Sequence, residues 1–379
     1  MKSKYTKDRN GLIVLPTGSG KSVVIAAIIK ALDAPVLILQ PSKEILEQNY
    51  NKLCSDGVMG IGIYAACMNR KEICRVTYAM IGSIRNVKEK FLPFRFCLVD
   101  ECHNVNAQEG MYKELFDYLG CKVLGLTATP YRLYSSLEFG SILKFLTRTK
   151  PRIFTDVIYH VQVAELRRQG FLADMKYYQI NLIDQRRLVR NSTGADFTDR
   201  SVQLYYAQIN FAEELRKIVE RLLTAGRTRI LVFTRFTQEA EYVKARCSAP
   251  SAIVTGETPK KEREQILKDF KAKRINVVTN VGVLTTGFDY PELDTVVMAR
   301  PTMSLALWYQ ICGRAIRPSP GKESWIVDLC GNYKRFGRVE DLYMSEPAPR
   351  QWIIEGLVPN PITRQLERRQ LTNIYFSNT

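Results

Sequence analysis

The segment PTGSGKS occupies residues 16–22 and follows the apolar run GLIVL at residues 11–15. Glycines at positions 18 and 20 let backbone amides approach a phosphate group, and a helix that starts behind them adds the partial positive charge of its N-terminus. A strand, a glycine loop and a helix in this order are the context that a nucleotide-phosphate loop requires. Leu15 stands where the strict pattern has glycine, and a glycine turn without a nucleotide is the alternative interpretation.

The loop residues divide into phosphate-binding and metal-binding groups. Lys21 is predicted to reach the β and γ phosphates, and Ser22 to hold Mg²⁺. The remaining predicted phosphate contacts are Thr17, Gly18, Ser19 and Gly20.

The string DECH at residues 100–103 supports the same site from another strand. Asp100 ends an apolar run, so it is expected at the carboxyl edge of a parallel sheet, where open α/β folds bind ligands. Asp100 is then predicted to hold Mg²⁺, and Glu101 to orient or deprotonate the water that attacks the γ-phosphate. A purely structural acidic strand end is the alternative.

Three further residues, one within DECH and two in another segment, are candidates for coupling the phosphate site to the second domain. His103 follows Glu101 by two positions, and Thr127 and Thr129 close another apolar strand in TATP at 127–130. The two hydroxyls are predicted to bridge DECH to the opposite domain. A packed or capping histidine and a simple turn before Pro130 are the alternatives.

The segment QICGRAIRP at residues 310–318 is predicted to be a helix that ends at Pro318. Gln310, Arg314 and Arg317 then share one helical face, because they are spaced i, i+4 and i+7. Arginines on that face can neutralise charge on a transferring phosphoryl group, so all three are candidate catalytic residues. An ordinary solvated basic face is the alternative.

The segment NVGVLTTGFDYPELD at residues 280–294 is a candidate for contacts with two ligands. Gly287 permits a close backbone approach, Asp289 can take a ribose hydroxyl or brace an arginine, and Thr285 can contact a nucleic-acid phosphate. A glycine turn between two strands is the alternative.

Apolar runs alternate with helical patterns twice along the 379 residues, which predicts two α/β domains with parallel sheets. The predicted divisions are an ATP-binding domain at 1–135, a linker and accessory segment at 136–205, a second domain at 206–345 and a C-terminal tail at 346–379. The tail is predicted to meander and to end in a short helix around ITRQLERRQL.

Composition favours a polyanion as the partner of the chain. Lys and Arg total 55 against 38 Asp and Glu, which gives a net charge of +17, although a solvated basic surface is the alternative. Nine cysteines without a CxxC pair and two histidines argue against zinc and favour reduced thiols. With no apolar stretch long enough for a signal peptide or a membrane span, we expect a cytoplasmic protein.

Taken in order, these strings resemble the superfamily 2 helicases, and most closely the RadD-type DEAD/DEAH-like branch of bacteria and phages. The resemblance spans residues 11–335. It is carried by LPTGSGKS, ILQPSKEILEQN, LVDECH, LGLTATPYRL, LVFTRF, VTGETPKKERE, VLTTGFDYPELD and YQICGRAIRPSPGK. It implies a P-loop fold with two RecA-like domains, use of ATP and Mg²⁺, and movement along DNA in a bacterial cell or a phage-infected host.

The resemblance also implies contacts with the nucleic acid, at Ser42, Gly82, Arg235 and Thr285. Such contacts favour the backbone, so binding is expected to be weakly sequence-specific and sensitive to salt, with RNA as a second possible ligand. A nuclease or a single-strand-binding protein is the expected kind of protein partner.

The leading hypothesis is a DNA-stimulated ATP hydrolase that acts as a helicase or translocase. One alternative is a translocating subunit of a restriction or repair complex that does not unwind DNA. Another is an ATP-gated nucleic-acid clamp with little turnover, because the family has an arginine and a glutamine upstream that recognise adenine, and only ten residues precede GLIVL here.

Overall fold

The computed structural model describes residues 10–136, 140–285, 290–360 and 362–374. Its strands, numbered β1 to β19 in chain order, are Gly11–Val14, Val36–Leu39, Ile61–Ala65, Arg70–Lys71, Val76–Ala79, Phe96–Asp100, Lys122–Thr127, Tyr131–Ser136, Gly140–Phe145, Asp156–His160, Met175–Gln179, Ile230–Thr234, Ser251–Val254, Val277–Val281, Thr295–Ala299, Ser324–Asp328, Tyr343–Ser345, Ile353–Pro359 and Leu366–Gln370.

The helices, numbered α1 to α11, are Lys21–Ala31, Lys43–Ser55, Ile81–Ile84, Met111–Leu119, Val163–Arg168, Asp199–Gln208, Phe211–Thr224, Thr237–Arg246, Lys260–Lys271, Leu305–Cys312 and Asn332–Phe336. The chain divides into two compact units. The first contains the described residues up to Arg132, together with 143–162 and 344–353, and the second contains those in 133–142, 163–343 and from 354 onward.

The first unit is built on a sheet whose described strands run in the order β10-β1-β7-β6-β2-β5-β3-β4. The pairings are parallel except for the short β3–β4 pair. Central strands such as VLIL and FCLVD are buried along nearly their whole length, because helices cover both faces of a parallel sheet. Ile25 and Ile29 of α1 and Leu46 and Leu53 of α2 join these strands in one apolar core.

The second unit contains a sheet with the order β11-β16-β15-β12-β14-β13, and its described pairings are all parallel. Val232, Val277 and Val297 of three neighbouring strands share a core with Leu215 and Val219 of α7. Two helix-flanked parallel sheets confirm the predicted α/β fold with tandem domains.

Residues 136–205, predicted as a linker and accessory segment, are divided between the two units. β10 pairs in parallel with β1 at the edge of the first sheet, and β11 pairs in parallel with β16 at the edge of the second. Both are edge strands with several half-buried or exposed positions, so neither shows the continuous apolar run of a central strand.

The predicted short helix at the end of the tail is wrong. ITRQLERRQL contains β19, which pairs antiparallel with β18, with Leu357 opposite Arg368 and Pro359 opposite Leu366. The β-branched residues Ile353, Ile354 and Val358 favour β18, and pairing with β18 overrides the helical propensity of LERRQ. Gly337, at φ 72°, lies directly against the backbone of Leu357, where a side chain would collide.

Among the described residues, no helix combines the length and apolarity needed to span a lipid bilayer.

Gly125 in β7 provides a test of the packing in the first unit. A Cβ atom at this position would lie 2.6 Å from Cys102 Sγ and 2.7 Å from a ring carbon of Phe154. We expect Gly125→Ala to lower the free energy of unfolding by about 1–3 kcal/mol, as overpacking of a filled core does. Gly82→Ala is the matched control, because a Cβ atom at Gly82 meets open space. Equal denaturation midpoints for the two variants would contradict this packing.

Candidate phosphate site and arginine loop

The pairing of three strands brings the predicted phosphate-site residues together. β7 lies between β1 and β6 and pairs in parallel with both, with Val14 opposite Thr127 and Asp100 opposite Leu126. The carboxyl ends of the three strands therefore meet at one edge of the sheet. The glycine loop, DECH and TATP all begin at that edge.

The glycine loop has the backbone that its sequence predicts. Gly18 and Gly20 adopt φ values of 83° and 79°, in the left-handed region where a Cβ atom is strained. Gly20 caps α1 without a side-chain hydrogen bond, so the first amides of this 11-residue helix have no side-chain cap. The geometry is that of an anion-binding helix N-terminus.

Ser19 shows that this loop is suited to a polar ligand. Its backbone amide donates to the carbonyl oxygen of Pro16 at 3.1 Å, but its Oγ is buried without a hydrogen-bond partner among the described residues. A buried hydroxyl without a partner costs about 1–3 kcal/mol, and a phosphate oxygen at the loop would supply the missing partner. Thr17 and Ser22 lie half-buried beside it.

Lys21 and Glu101 form the central contact of the site. Lys21 Nζ lies 2.6 Å from Glu101 Oε1, and the side chains are 17% and 16% exposed. Burial alone would raise the pKa of Glu101, but the charges of Lys21 and His103 together hold it below its usual value, so Glu101 is ionised at neutral pH. The carboxylate is thus ionised and can accept a hydrogen bond from a water molecule.

The backbone of Glu101 is strained. Its φ of 46° and ψ of 48° place a non-glycine residue in the left-handed region, at a cost of about 1–3 kcal/mol. Strain of this kind is concentrated at functional sites. Here it aims the Glu101 side chain at Lys21 while the preceding residue, Asp100, stays in β6.

His103 links Glu101 to the end of β7. His103 Nδ1 lies 3.4 Å from Glu101 Oε2, 3.0 Å from Thr127 Oγ1 and 3.1 Å from Thr129 Oγ1. Thr127 Oγ1 also accepts a hydrogen bond from the backbone amide of Thr129 at 3.0 Å. The structure therefore brings the three predicted coupling residues into one hydrogen-bonded group around Nδ1.

Asp100 is buried, with 4% exposure, and is held by two donors. The Glu101 amide donates to Oδ1 at 2.9 Å, and Asn49 Nδ2 donates to Oδ2 at 3.3 Å. Burial and the neighbouring charge of Glu101 raise the pKa of Asp100, against the opposing effect of Lys21. A nearby divalent cation would favour the charged carboxylate, so the donor set of Asp100 and Ser22 suits Mg²⁺.

Sequence reasoning missed Asn49. It lies on α2 between the buried residues Leu46 and Leu53, at the i+3 and i−4 positions of one helical face. A polar residue within an apolar face needs a hydrogen-bond partner, and this pattern is the signal that could have identified it. Asn49 positions Asp100 for any ligand at the sheet edge.

The predicted helix over residues 310–317 is wrong in its second half. α10 ends at Cys312, and the next residues form tighter turns in which the Arg314 and Ala315 amides donate to the carbonyl oxygens of Ile311 and Cys312. Gly313 lowers helix propensity at the point where the helix ends. Gln310 therefore lies on α10, whereas Arg314 and Arg317 lie on the following loop, named here the arginine loop (residues 313–317).

The arginine loop is held by Lys322, a second residue that sequence reasoning missed. Lys322 Nζ donates to the carbonyl oxygens of Pro291 at 2.8 Å, Ala315 at 2.9 Å and Arg317. Burial lowers the pKa of Lys322 to about 8. Arg314 Nε donates back to the carbonyl oxygen of Gln310 at 3.1 Å, so the loop has a defined conformation.

The predicted nucleic-acid residues have different environments. Ser42 caps α2 by accepting a hydrogen bond from the Ile45 amide at 3.3 Å, and Gly82 is exposed on α3. Thr285 is half-buried, while Gly287 and Asp289 lie outside the described residues. Arg235 is 10% exposed and bonded to Asp196 and Asp199, so protein carboxylates occupy the guanidinium that was predicted to meet a phosphate.

Two family models match the chain. A model described as "Type III restriction enzyme, res subunit" matches residues 1–132, and the "Helicase conserved C-terminal domain" matches residues 212–319. Together they span more than half of the chain.

Two relatives extend along most of the chain. A 51.5 kDa protein of a Lactococcus phage is 27% identical over 333 residues, covering 86% of this chain and 67% of its own. The DNA 3'-5' translocase XPB2 of Sulfurisphaera tokodaii is 25% identical over 355 residues, covering 86% and 78%.

A solved structure agrees in fold. The ATP-dependent Type ISP restriction-modification enzyme LlaBIII, bound to DNA, matches 86% of this chain with a TM-score of 0.61 and 18% identity. This chain spans only 26% of that enzyme. The RadD-type branch stays a prediction, but the matched family models and relatives agree on the wider group. The chain belongs to the superfamily 2 helicases of the DEAD/DEAH-like group.

Proposed function

We propose that this chain hydrolyses ATP at the glycine loop and uses the energy to move along DNA. The observation that carries the proposal is the 2.6 Å contact between Lys21 and Glu101, near the buried hydroxyl of Ser19, which has no hydrogen-bond partner in the part of the chain that the structure describes. A cation and an ionised carboxylate at a glycine loop are the two groups that hydrolysis of a triphosphate needs from this side of the site.

The residues of the first unit have distinct roles in this proposal. Backbone amides of the glycine loop and the Lys21 ammonium bind the β and γ phosphates. As Lys21 moves toward the phosphates, Glu101 becomes available to orient a water molecule and accept its proton, with His103 holding the second carboxylate oxygen. Ser22 and Asp100 would hold Mg²⁺, which neutralises phosphate charge when bound.

Gln310 and the arginine loop complete the proposed machinery. Arg314 and Arg317 are assigned to stabilising the charge that develops on the transferring phosphoryl group. Gly287 and Asp289 are assigned to the nucleotide, and Ser42, Gly82 and Thr285 to the DNA backbone. Alternation between nucleotide-bound and nucleotide-free states would then change how tightly the DNA strand is held. His103, Thr127 and Thr129 are assigned to coupling the occupancy of the nucleotide site to this change in DNA binding.

A translocase that moves without unwinding is the second candidate, and the match to a restriction-enzyme family model favours it. Displacement of a third strand from a triplex reports movement in either case, whereas separation of a forked duplex reports unwinding. The ATP-gated clamp is less favoured because Lys21 and Glu101 are both present and in contact.

Substitutions at the central contact test the hydrolytic site. Lys21→Ala and Glu101→Gln are expected to lower DNA-stimulated ATP turnover by about 10²-fold or more, since each removes a group that acts in the transition state. Glu101→Gln should still bind a fluorescent ATP analogue. Lys30→Ala, on an exposed turn of the same helix, is the matched control. Normal turnover in either site variant would remove that residue from the mechanism.

Arg317→Ala tests the arginine loop. We expect retained ATP binding and a loss of about 10³-fold in turnover, on the scale of a phosphoryl-stabilising arginine. Arg168→Ala removes an exposed arginine elsewhere and should leave the rate unchanged. If Arg317→Ala turns over ATP normally, the assigned role is incorrect.

Lys322→Met tests whether the loop must be held in place. Loss of three hydrogen bonds to carbonyl oxygens should lower kcat while leaving the KM for ATP near its original value, because Lys322 positions Arg317 rather than binding substrate. Lys334→Met, at an exposed position of α11, serves as the control. Equal kcat values for the two variants would show that the loop does not need Lys322.

A further inference from the structure

Four arginines gather near the carboxyl end of the second sheet, and they are named here the arginine cluster. Arg235 follows β12, Arg300 follows β15, Arg335 lies on α11 and Arg190 lies on the segment before α6. Each is half-buried, so each combines partial loss of hydration with remaining access to solvent. Guanidinium groups stay charged at neutral pH, so the cluster concentrates positive charge.

Within the described ranges, Arg235, Arg335 and Arg300 differ in the groups that contact their guanidinium nitrogens. Arg235 Nε lies 2.8 Å from Asp199 Oδ1, and Arg235 Nη1 lies 3.3 Å from Asp196 Oδ2. Arg335 donates from Nε and Nη2 to the neutral amide oxygen of Gln185, at 3.1 and 2.8 Å. Arg300 Nε is buried and has no hydrogen-bond partner among the described residues.

Burial and the neighbouring charges affect the pKa values of Arg300 and Arg335, in part in opposite directions. Burial lowers the pKa of Arg300, and the charge of Arg235 lowers it further, whereas Asp196 acts in the opposite direction. Burial also lowers the pKa of Arg335 to about 10, with Arg190 adding to the decrease and Asp196 again opposing it. Asp196 thus pairs with Arg235, and its charge also favours the protonated forms of Arg300 and Arg335.

Asp196 is placed where a ligand could replace it. Its side chain is 30% exposed and that of Asp199 is 69% exposed, so both carboxylates are more accessible to solvent than the Arg235 side chain that they contact, which is 10% exposed. Asp196 Oδ1 also accepts a hydrogen bond from the Met303 amide at 3.2 Å, which fixes the carboxylate in place. An anion with more oxygens than a carboxylate would satisfy more of the available donors.

We propose that Arg190, Arg235, Arg300 and Arg335 form a binding site for a backbone phosphate of a DNA strand, and that Asp196 occupies this site when DNA is absent. The proposal rests on the DNA-dependent function proposed above. It adds Arg190, Arg300 and Arg335, which lie outside the strings that carry the resemblance, to Arg235, which lies within LVFTRF. Arginine suits the task because its planar fork bonds two phosphate oxygens at once. Asp196 then competes with DNA and lowers the affinity of the arginine cluster for the DNA phosphate.

The test measures binding of a fluorescently labelled single-stranded oligothymidylate by anisotropy, without ATP, over a series of salt concentrations. Arg300→Gln and Arg335→Gln should each weaken binding by about tenfold at low salt. Each should also reduce the slope of log affinity against log salt by about 0.7, the value for one phosphate contact on a single strand. Arg221→Gln removes an exposed arginine from α7 and should leave the slope unchanged.

Asp196→Asn is expected to change the affinity in the opposite direction, and it distinguishes competition with DNA from a purely structural role of Asp196. The substitution keeps the oxygen that accepts from Met303 but removes the competing charge, so affinity for the oligonucleotide should rise several-fold. Asp174→Asn, at a side chain with 87% exposure, is the charge-matched control and should bind as the unmodified chain does. A purely structural role for Asp196 would weaken binding or leave it unchanged.

Two results would overturn the proposal. One is a salt slope for Arg300→Gln and Arg335→Gln equal to that of Arg221→Gln, and the other is weaker binding by Asp196→Asn. If the unmodified chain binds DNA and shows DNA-stimulated ATP hydrolysis in either case, only the arginine cluster is rejected. If the unmodified chain binds no DNA at all, the proposed function fails and DNA is rejected as the ligand of the cluster. Should Arg335→Gln fail to fold, Asp196→Asn still decides.

Discussion

The parallel pairing of β7 with both β1 and β6 is the constraint on which the phosphate site depends. It places the strand before the glycine loop, the strand that ends at Asp100 and the strand that ends at Thr127 side by side. Three segments separated by many residues along the chain therefore open at one sheet edge. Gly125, where a side chain would collide with Cys102, Phe154 and Leu12, shows how closely this arrangement is packed.

Charge balance at that edge follows from burial. Lys21, Glu101 and His103 are all largely shielded from water, so their mutual interactions are stronger than they would be on an open surface. Lys21 stabilises the ionised form of Glu101, whereas burial disfavours the ionised form of the neighbouring Asp100. The strained backbone at Glu101 holds the two adjacent carboxylates in different environments. In the second unit, Arg300 has a buried Nε without a hydrogen-bond partner among the described residues, and Arg335 donates to a neutral amide oxygen.

Much of the fold followed from local sequence signals. The central strands are continuous apolar runs, and the glycine loop has glycine at two positions where the backbone takes a positive φ, so both were predictable. The edge strands β10 and β11 were not, because DVIYH and MKYYQ alternate with polar residues. The β18–β19 pair was missed because LERRQ has strong helical propensity and becomes a strand only through its partner.

The site shows the same division between local and long-range information. Motifs identified Lys21, Glu101 and His103, whose contacts are set by the sheet register. The supporting residues Asn49 and Lys322 act through partners distant in sequence, and the end of α10 at Cys312 depends on the turns after it. The partners of Arg235 come from the 190–199 region, whose position only the folded chain reveals.

The measurement that tests the central claim most directly is the rate of ATP hydrolysis by the unmodified chain at low salt, with and without DNA. If ATP hydrolysis at the Lys21–Glu101 site drives movement along DNA, adding single-stranded or duplex DNA should raise the rate severalfold, and added salt should abolish the increase. A rate that stays the same with saturating DNA at low salt would contradict the account.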